Sequence, residues 1–147
     1  MSETTRGEPS RTTLIQLLNQ ALQNEYTDVF LYPREADALK EKELSALFER
    51  FGRMELRHAD NLAMQIMALG ETPVWEFSVI DIPKTLDEIL SGHIKREKEA
   101  IHLYEQLLTL CNRDKQDQLK IILAGLKAEE EVHFQTIKAI LDKKQNR

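Results

Sequence analysis

The sequence holds one cysteine, Cys111. An internal disulfide, a Cys-x-x-Cys redox pair and a four-cysteine iron or zinc site within one chain are therefore excluded. Glycine and proline are scarce, five and four in 147 residues, so long unbroken helices are open to the chain. No apolar run approaches the ~20 residues of a membrane span. The start, MSETTRGEPS, is polar with no apolar centre, and reads as a flexible tail over residues 1–10 rather than a signal peptide. A net charge of −5 gives no basic footprint for nucleic acid. These absences lead us to expect a cytoplasmic protein with neither a membrane nor a nucleic-acid partner.

What is present is a soluble-type composition, 41% hydrophobic and 31% charged, enough for one domain over residues 11–147 with a sizeable core. Apolar spacing alternates threes and fours in four segments, the pattern of helices that each bury one stripe. The stripes run Leu14, Leu18, Ala21, Glu25, Asp28, Tyr32; then Leu44, Phe48, Phe51, Glu55, His58, Leu62, Ile66, Leu69. The third runs Leu90, His93, Glu97, Ala100, Tyr104, Leu107, Cys111, and the fourth Leu119, Leu123, Leu126, Glu130, His133, Ile137, Ile140. Gly70 ends the second helix, and Thr85 with Glu88 reads as a capping box opening the third. Pro33 should kink the first helix or end it early. Turns are expected near 38–42 and within CNRD at 111–114. The stretch 70–84, GETPVWEFSVIDIPK, is the only long connection; its Trp75, Phe77, Val79 and Ile80 should pack on the bundle. The fold class is thus all-α: a four-helix bundle of two antiparallel hairpins joined by a long crossover.

The stripes are not wholly apolar. Each carries a carboxylate near its middle, Glu25, Glu55, Glu97 and Glu130, and two add a histidine three residues on, His58 and His133. Residues i and i+3 lie on one helix face about a turn apart, so both side chains of each pair reach one point in the core. The spacing alone discriminates little, because Glu99 and His102 repeat it off the stripe. Placement on the buried face is what matters. The two halves also match internally: NEYTDVFLY at 24–32 aligns with REKEAIHLY at 96–104, pairing Glu25 with Glu97 and Tyr32 with Tyr104. Four carboxylates in a dry core repel strongly, and one unpaired buried charge already costs several kcal/mol. A pair of divalent metal ions balances them. Four Glu and two His suit iron or manganese. His93 reads as a satisfied core or rim histidine, His102 as exposed, Cys111 as a small apolar residue, and DKKQNR at the C-terminus as a solvated helix end.

At these residues the chain resembles the ferritin-like superfamily, bacterioferritin and rubrerythrin in particular, over about 12–141. The resemblance rests on NE at 24–25, MELRHAD at 54–60, Glu97, and Glu130 with His133, in the family's order and at near-family spacing. It implies a ferritin-like bundle holding two iron ions, with manganese or mixed manganese/iron as alternatives. Glu25 and Glu97 would be terminal ligands, Glu55 and Glu130 bridges, and His58 and His133 ligands to one ion each. Tyr32 matches a family tyrosine beside the metal centre, with Tyr104 as its partner in the other half. Asp28 stands where the family has a small residue and is a candidate additional ligand. Leu56 occupies the position of bacterioferritin's haem-binding methionine, so haem is not expected. The chain stops at Arg147, leaving little room for the fifth helix of ferritin cages. It has no rubredoxin-like four-cysteine domain, and Ala100 replaces rubrerythrin's extra glutamate.

Two functions follow from the resemblance. One is an oxidoreductase that reacts Fe(II) with dioxygen or hydrogen peroxide, as a peroxidase or ferroxidase supplied by an external electron donor. The alternative is bacterioferritin-like iron storage or iron handling, in a shell or with a partner compartment. A weaker third is a structural or metal-sensing bundle without turnover. The expected assembly is a homodimer, since exposed apolar bundle faces often pair.

Overall fold

In a computed structural model the backbone is described for residues 4–76 and 80–146, and side chains from residue 11 onward. Four helices form: α1 (Thr4–Ala38), α2 (Lys42–Ala68), α3 (Leu86–Asp114) and α4 (Asp117–Gln145). Of the tail expected at 1–10, residues 1–3 lie outside the described ones, as do Phe77 and Val79 with the packing expected of them, while the backbone of 4–10 forms the start of α1. Helix α1 lies between α2 and α3, and α4 between α3 and α2, so α1/α4 and α2/α3 are the diagonal pairs. Neighbours are antiparallel. Tyr32 meets Glu97 and Tyr104 meets Glu25, while Met54 meets His133 and His58 meets Glu129.

The stripes read from the sequence are the buried faces, and only their last members, Leu69 and Ile140, are half-buried. They form two apolar clusters. One gathers Leu14, Leu18, Leu22, Leu62, Ile66, Leu107 and Leu123; the other gathers Tyr32, Phe48, Phe51, Ile89, Leu90 and Ile137. In every helix buried polar residues come between them; Glu35 alone among the buried polar residues described lies beyond, between Tyr32 and Ala36.

The helix ends follow backbone chemistry. Gly70, at φ 82, closes α2 in a Schellman turn: its N–H donates to Met67 O at 2.9 Å and that of Glu71 to Ile66 O at 3.2 Å. The Thr85 hydroxyl accepts from Glu88 N–H at 3.2 Å, and the Glu88 carboxylate accepts from Lys84 N–H at 3.3 Å, one residue earlier than a reciprocal capping box requires.

Of the two outcomes expected at Pro33, a kink or an early end, the second does not occur: α1 continues to Ala38, Tyr32, Glu35 and Ala36 around the proline are buried, and that packing outweighs the hydrogen bond it removes. The expected second turn needs correction. The CNRD stretch is not the second turn but the end of α3. Cys111 is buried, its carbonyl accepts from Lys115 and Gln116, and the reversal falls at Lys115, in the left-handed region at φ 55.

The crossover from Leu69 to Thr85 is pinned to α1 by side-chain amides. Asn19 Oδ1 accepts from Val74 N–H at 2.9 Å, and Gln23 accepts from Glu76 N–H at 3.1 Å and donates to Val74 O. Trp75 packs its ring on Tyr26, centroids 4.2 Å apart.

Helices α1 and α2 approach closely at Gly52, where an added Cβ would lie 3.2 Å from Tyr32 Cβ and 3.3 Å from Pro33 Cδ. On exposed Gly125 in α4 a Cβ would meet nothing within 4 Å. The two glycines should therefore respond oppositely. Gly52→Leu overpacks the crossing and should cost about 1–3 kcal/mol. Gly125→Ala should gain up to about 1 kcal/mol from helix propensity. Urea denaturation of the metal-free variants checks both signs.

Candidate metal centre

The structure brings all six stripe residues together in one buried layer. Glu25 comes from α1, Glu55 and His58 from α2, Glu97 from α3, and Glu130 and His133 from α4; all are at most 2% exposed. One ligand atom from each of Glu25, Glu55, His58 and Glu130 lies within 4.8 Å of the others, and the same holds for Glu55, Glu97, Glu130 and His133. The two groups share Glu55 and Glu130. Each offers three carboxylates and one imidazole, and each takes residues from both hairpins.

Both histidines turn Nδ1 inward. His58 Nδ1 lies 2.8 Å from Glu130 Oε1 and 3.6 Å from both Glu25 Oε2 and Glu55 Oε2. His133 Nδ1 lies 2.8 Å from Glu55 Oε1, but too poorly aligned for a hydrogen bond, since both atoms remain without one. The outer nitrogens face different partners: His58 Nε2 meets Glu129 Oε2, and His133 Nε2 meets Met54 Sδ at 3.5 Å. Phe51 stacks on His133 at 4.0 Å.

Tyr32 donates its hydroxyl to Glu97 Oε1 at 3.2 Å, and Tyr104 donates to Glu25 Oε1 at 2.6 Å. These bonds mirror each other about the internal repeat. Burial, with the surrounding carboxylates, pushes both phenols well above their ordinary value, so both act as hydrogen-bond donors.

Asp28 is buried but joins neither four-donor group. It accepts from Arg96 Nε at 3.0 Å and lies near His93 and Glu97 in a third cluster. His93 is a core histidine but not the satisfied one expected: its Nε2 is 2.5 Å from Glu35 Oε1, while its buried Nδ1 has no hydrogen-bond partner. Burial, with Arg96 and His133 adding to it, pushes His93 well below its ordinary value, so the ring is neutral. Glu99 and His102 are both exposed. Cys111 is buried, and burial raises its thiol to about 11.

Sequence reasoning missed Glu35, Arg96, Glu129 and the role of Met54. Glu35 was detectable, because the spacing Glu25, Asp28, Tyr32 continues to it. Glu129 lies off the stripe and had no such signal.

The layer has a shortage of positive charge. Burial raises Glu97 to about 8, and burial with the Glu55 and Glu97 charges raises Glu130 well above the carboxylate range. Burial also pulls Glu55 upward, but the His133 and His58 imidazoles beside it hold it down to about 2. His58 is lowered by burial and raised more strongly by Glu55 and Glu129, for a net rise. Glu25 Oε2, both Glu55 oxygens, Glu97 Oε2, Glu130 Oε2 and His133 Nδ1 are buried without a hydrogen-bond partner. Each such atom is destabilising by roughly 1–3 kcal/mol. They converge, and oxygen-rich donors with one imidazole per group fit a pair of divalent first-row ions. Glu25, Glu55, His58, Glu97, Glu130 and His133 could hold such a pair.

A family model described as Ferritin, ferritin-like domain, matches residues 15–146. Among solved structures, Desulfovibrio desulfuricans bacterioferritin, described with its diiron site in different catalytic states, superposes with a TM-score of 0.86 at 23% identity, over 95% of this chain and 84% of that one. A structure from Bacillus anthracis str. Ames described as ferritin-like, diiron-carboxylate gives a TM-score of 0.85 at 26% identity, over 90% of this chain and 97% of that one. At its identity the first of these likenesses shows the fold alone. No curated protein matches the chain.

The shifts set a pH dependence for the metal-free protein. Glu97 and Glu35 rise from an ordinary 4.5 to about 8 on folding, so between these values the folded state holds more protons than the unfolded one. Stability then falls as pH rises through the folded value. His93, lowered on folding, contributes the opposite slope only below about 6.5. The urea midpoint of metal-free protein should therefore drop between about pH 6.5 and 8.5. Saturating divalent metal should flatten or reverse that slope, because binding requires the deprotonated ligands.

Proposed function

From the chain's membership of the ferritin-like domain family, we propose that it is a non-haem diiron protein that reacts with dioxygen or hydrogen peroxide, as a peroxidase or a ferroxidase. The observation that carries this reading is the pair of four-donor groups sharing Glu55 and Glu130. Glu55 and Glu130, common to both groups, would be shared by the two ions; Glu25 and His58 would hold one, and Glu97 and His133 the other. When bound, the ferrous pair supplies the electrons that reduce the oxidant.

The rest falls to the side chains. Glu129 accepts from His58 Nε2 and keeps the ring turned so that Nδ1, once deprotonated, would meet a cation among the carboxylates. Tyr104 and Tyr32 each occupy one oxygen of Glu25 and Glu97 and leave the other free, setting the angle at which each terminal carboxylate can bind. Glu97 and Glu130, which burial favours in the protonated form, release protons from their carboxyl oxygens as cations bind. The apolar clusters on either side keep bulk water from the layer. An external electron donor completes a catalytic cycle. Leu56, Met64 and Met67 expose 47%, 58% and 55% of their surface on the outside of α2, which supports assembly as a homodimer.

Anaerobic titration with Fe(II) should reach about two ions per chain, and limiting dioxygen or peroxide should then produce a ferric absorption band. Glu130→Ala or Glu55→Ala should lose most binding of both ions, whereas His58→Ala should weaken one more than the other. A count well below two in the wild type sinks the diiron reading. Uptake far beyond two ions replaces the oxidoreductase with iron storage. Tight binding without oxidation leaves a structural bundle.

A further inference from the structure

Beside the Glu97 half of the centre lies a second group of buried polar side chains. Asp28 of α1 with His93 and Glu97 of α3 each bring a ligand atom within 4.8 Å of the others. His93 is 0% exposed, and its Nδ1 has no hydrogen-bond partner; neither has Glu97 Oε2. Nδ1 lies 3.7 Å from Asp28 Oδ1. The other ring nitrogen is held by Glu35, Nε2 lying 2.5 Å from Oε1; in the tautomer that donates there, Nδ1 presents its lone pair to the acidic side. An imidazole whose outer nitrogen donates to a carboxylate is the usual arrangement of a metal-binding histidine. This chain uses the same arrangement at His58, with Nε2 on Glu129 and Nδ1 among carboxylates. The His93 ring is also fixed in place, stacked at 4.0 Å on Tyr32 and edge-on to Phe48 at 5.4 Å.

We propose that Asp28, His93 and Glu97 form a third cation site, for a first-row divalent ion, adjoining the dinuclear centre and sharing Glu97 with it. The proposal rests on the diiron reading for the role of Glu97, but Asp28 and His93 belong to this site alone. The three donors span carboxylate and imidazole chemistry, which suits Fe(II), Mn(II) or Co(II). Three protein donors leave further coordination positions to water, as befits an exchangeable ion passing to or from the centre.

Arg96 is the resident competitor. Its Nε holds Asp28 Oδ1 at 3.0 Å, while its Nη2 is buried without a partner. The side chain is 27% exposed, so it can swing outward as a cation arrives. The site thus opens toward solvent on the Arg96 side and toward the centre through Glu97.

Co(II) is the probe, because its visible bands report new ligation and it needs no exclusion of air. Equilibrium titration with elemental analysis should give about three ions per wild-type chain, the third weaker than the other two. His93→Gln should hold about two, with an unchanged helical circular-dichroism spectrum. Should His93→Gln fail to fold, Asp28→Asn reads the same loss. Arg96→Gln should tighten the third ion, by about tenfold, because a like charge has been removed from beside Asp28. A wild type saturating at about two ions, with His93→Gln also at two, overturns the third site and leaves the dinuclear centre standing. Three ions in both wild type and His93→Gln place the third ion elsewhere and overturn it as well. Loss of a centre ion in His93→Gln overturns it too, and a wild type well below two overturns both readings.

Discussion

Carboxylate charge buried in a dry core is the constraint to which the rest of this structure answers. A single uncompensated buried charge costs several kcal/mol, against a net folding stability of only about 5–15 kcal/mol for a typical domain. Glu25, Glu55, Glu97 and Glu130 at one level are untenable as four bare anions. The metal-free chain answers with protons: burial holds Glu97 and Glu130 toward their neutral forms, while Glu55 stays ionised between His58 and His133. The metal-loaded chain would answer with two divalent ions. Cations and protons therefore compete for the same oxygens, and the unpartnered atoms of the layer mark where protons alone leave hydrogen bonding incomplete.

The architecture is arranged around that layer. An apolar cluster lies on each side of it and supplies the burial energy that the layer itself cannot. The polar residues come from all four helices, so neither hairpin contains a complete four-donor group. Folding and assembly of the centre are one event. Gly52 lets α2 approach Tyr32 and Pro33 closely, which keeps Tyr32 within reach of Glu97. The crossover is tied by Asn19 and Gln23, within one to two turns of Glu25 on the same helix, so the connection between hairpins is anchored beside the centre.

Much of this was legible in the sequence because the helical period and the burial pattern carry the same information. A residue on a stripe of threes and fours is inside, so the four glutamates and two histidines near the stripe middles read as facing one core. The sequence was less informative where tertiary packing overrode local preference. Pro33 reads as a kink or a stop and does not stop the helix, because buried neighbours on both sides hold it together. CNRD reads as a turn, yet burial of Cys111 carries α3 through it to Lys115. The second layer of contacts was hidden for another reason. Glu129 sits beside the stripe rather than on it, and whether such a side chain reaches inward depends on packing that no single-helix pattern encodes.

The internal repeat sharpens the chemistry of the two halves by where it fails. Tyr32 and Tyr104 occupy matching positions and do the same work on Glu97 and Glu25. Met54 and Glu129 also match, each preceding a glutamate common to both four-donor groups, and each faces the outer nitrogen of the opposite histidine. One is a thioether and the other a carboxylate. His58 is thus backed by a half-exposed anion that raises its basicity, while His133 is backed by a weak sulfur acceptor and covered by Phe51. Around the terminal glutamates the repeat breaks more completely. Asp28, His93, Arg96 and Glu35 surround Glu97, where the matching positions around Glu25 hold Ala100, Ala21, Asn24 and Leu107. Three of these four substitutions exchange an ionisable group for an apolar one. A fold with two nearly equivalent metal positions gains nothing in stability from crowding charge beside one of them, since each buried ionisable group must itself be compensated. The asymmetry accords with the proposed third site, which takes Asp28 and His93 on the Glu97 side and has alanines at the matching positions around Glu25.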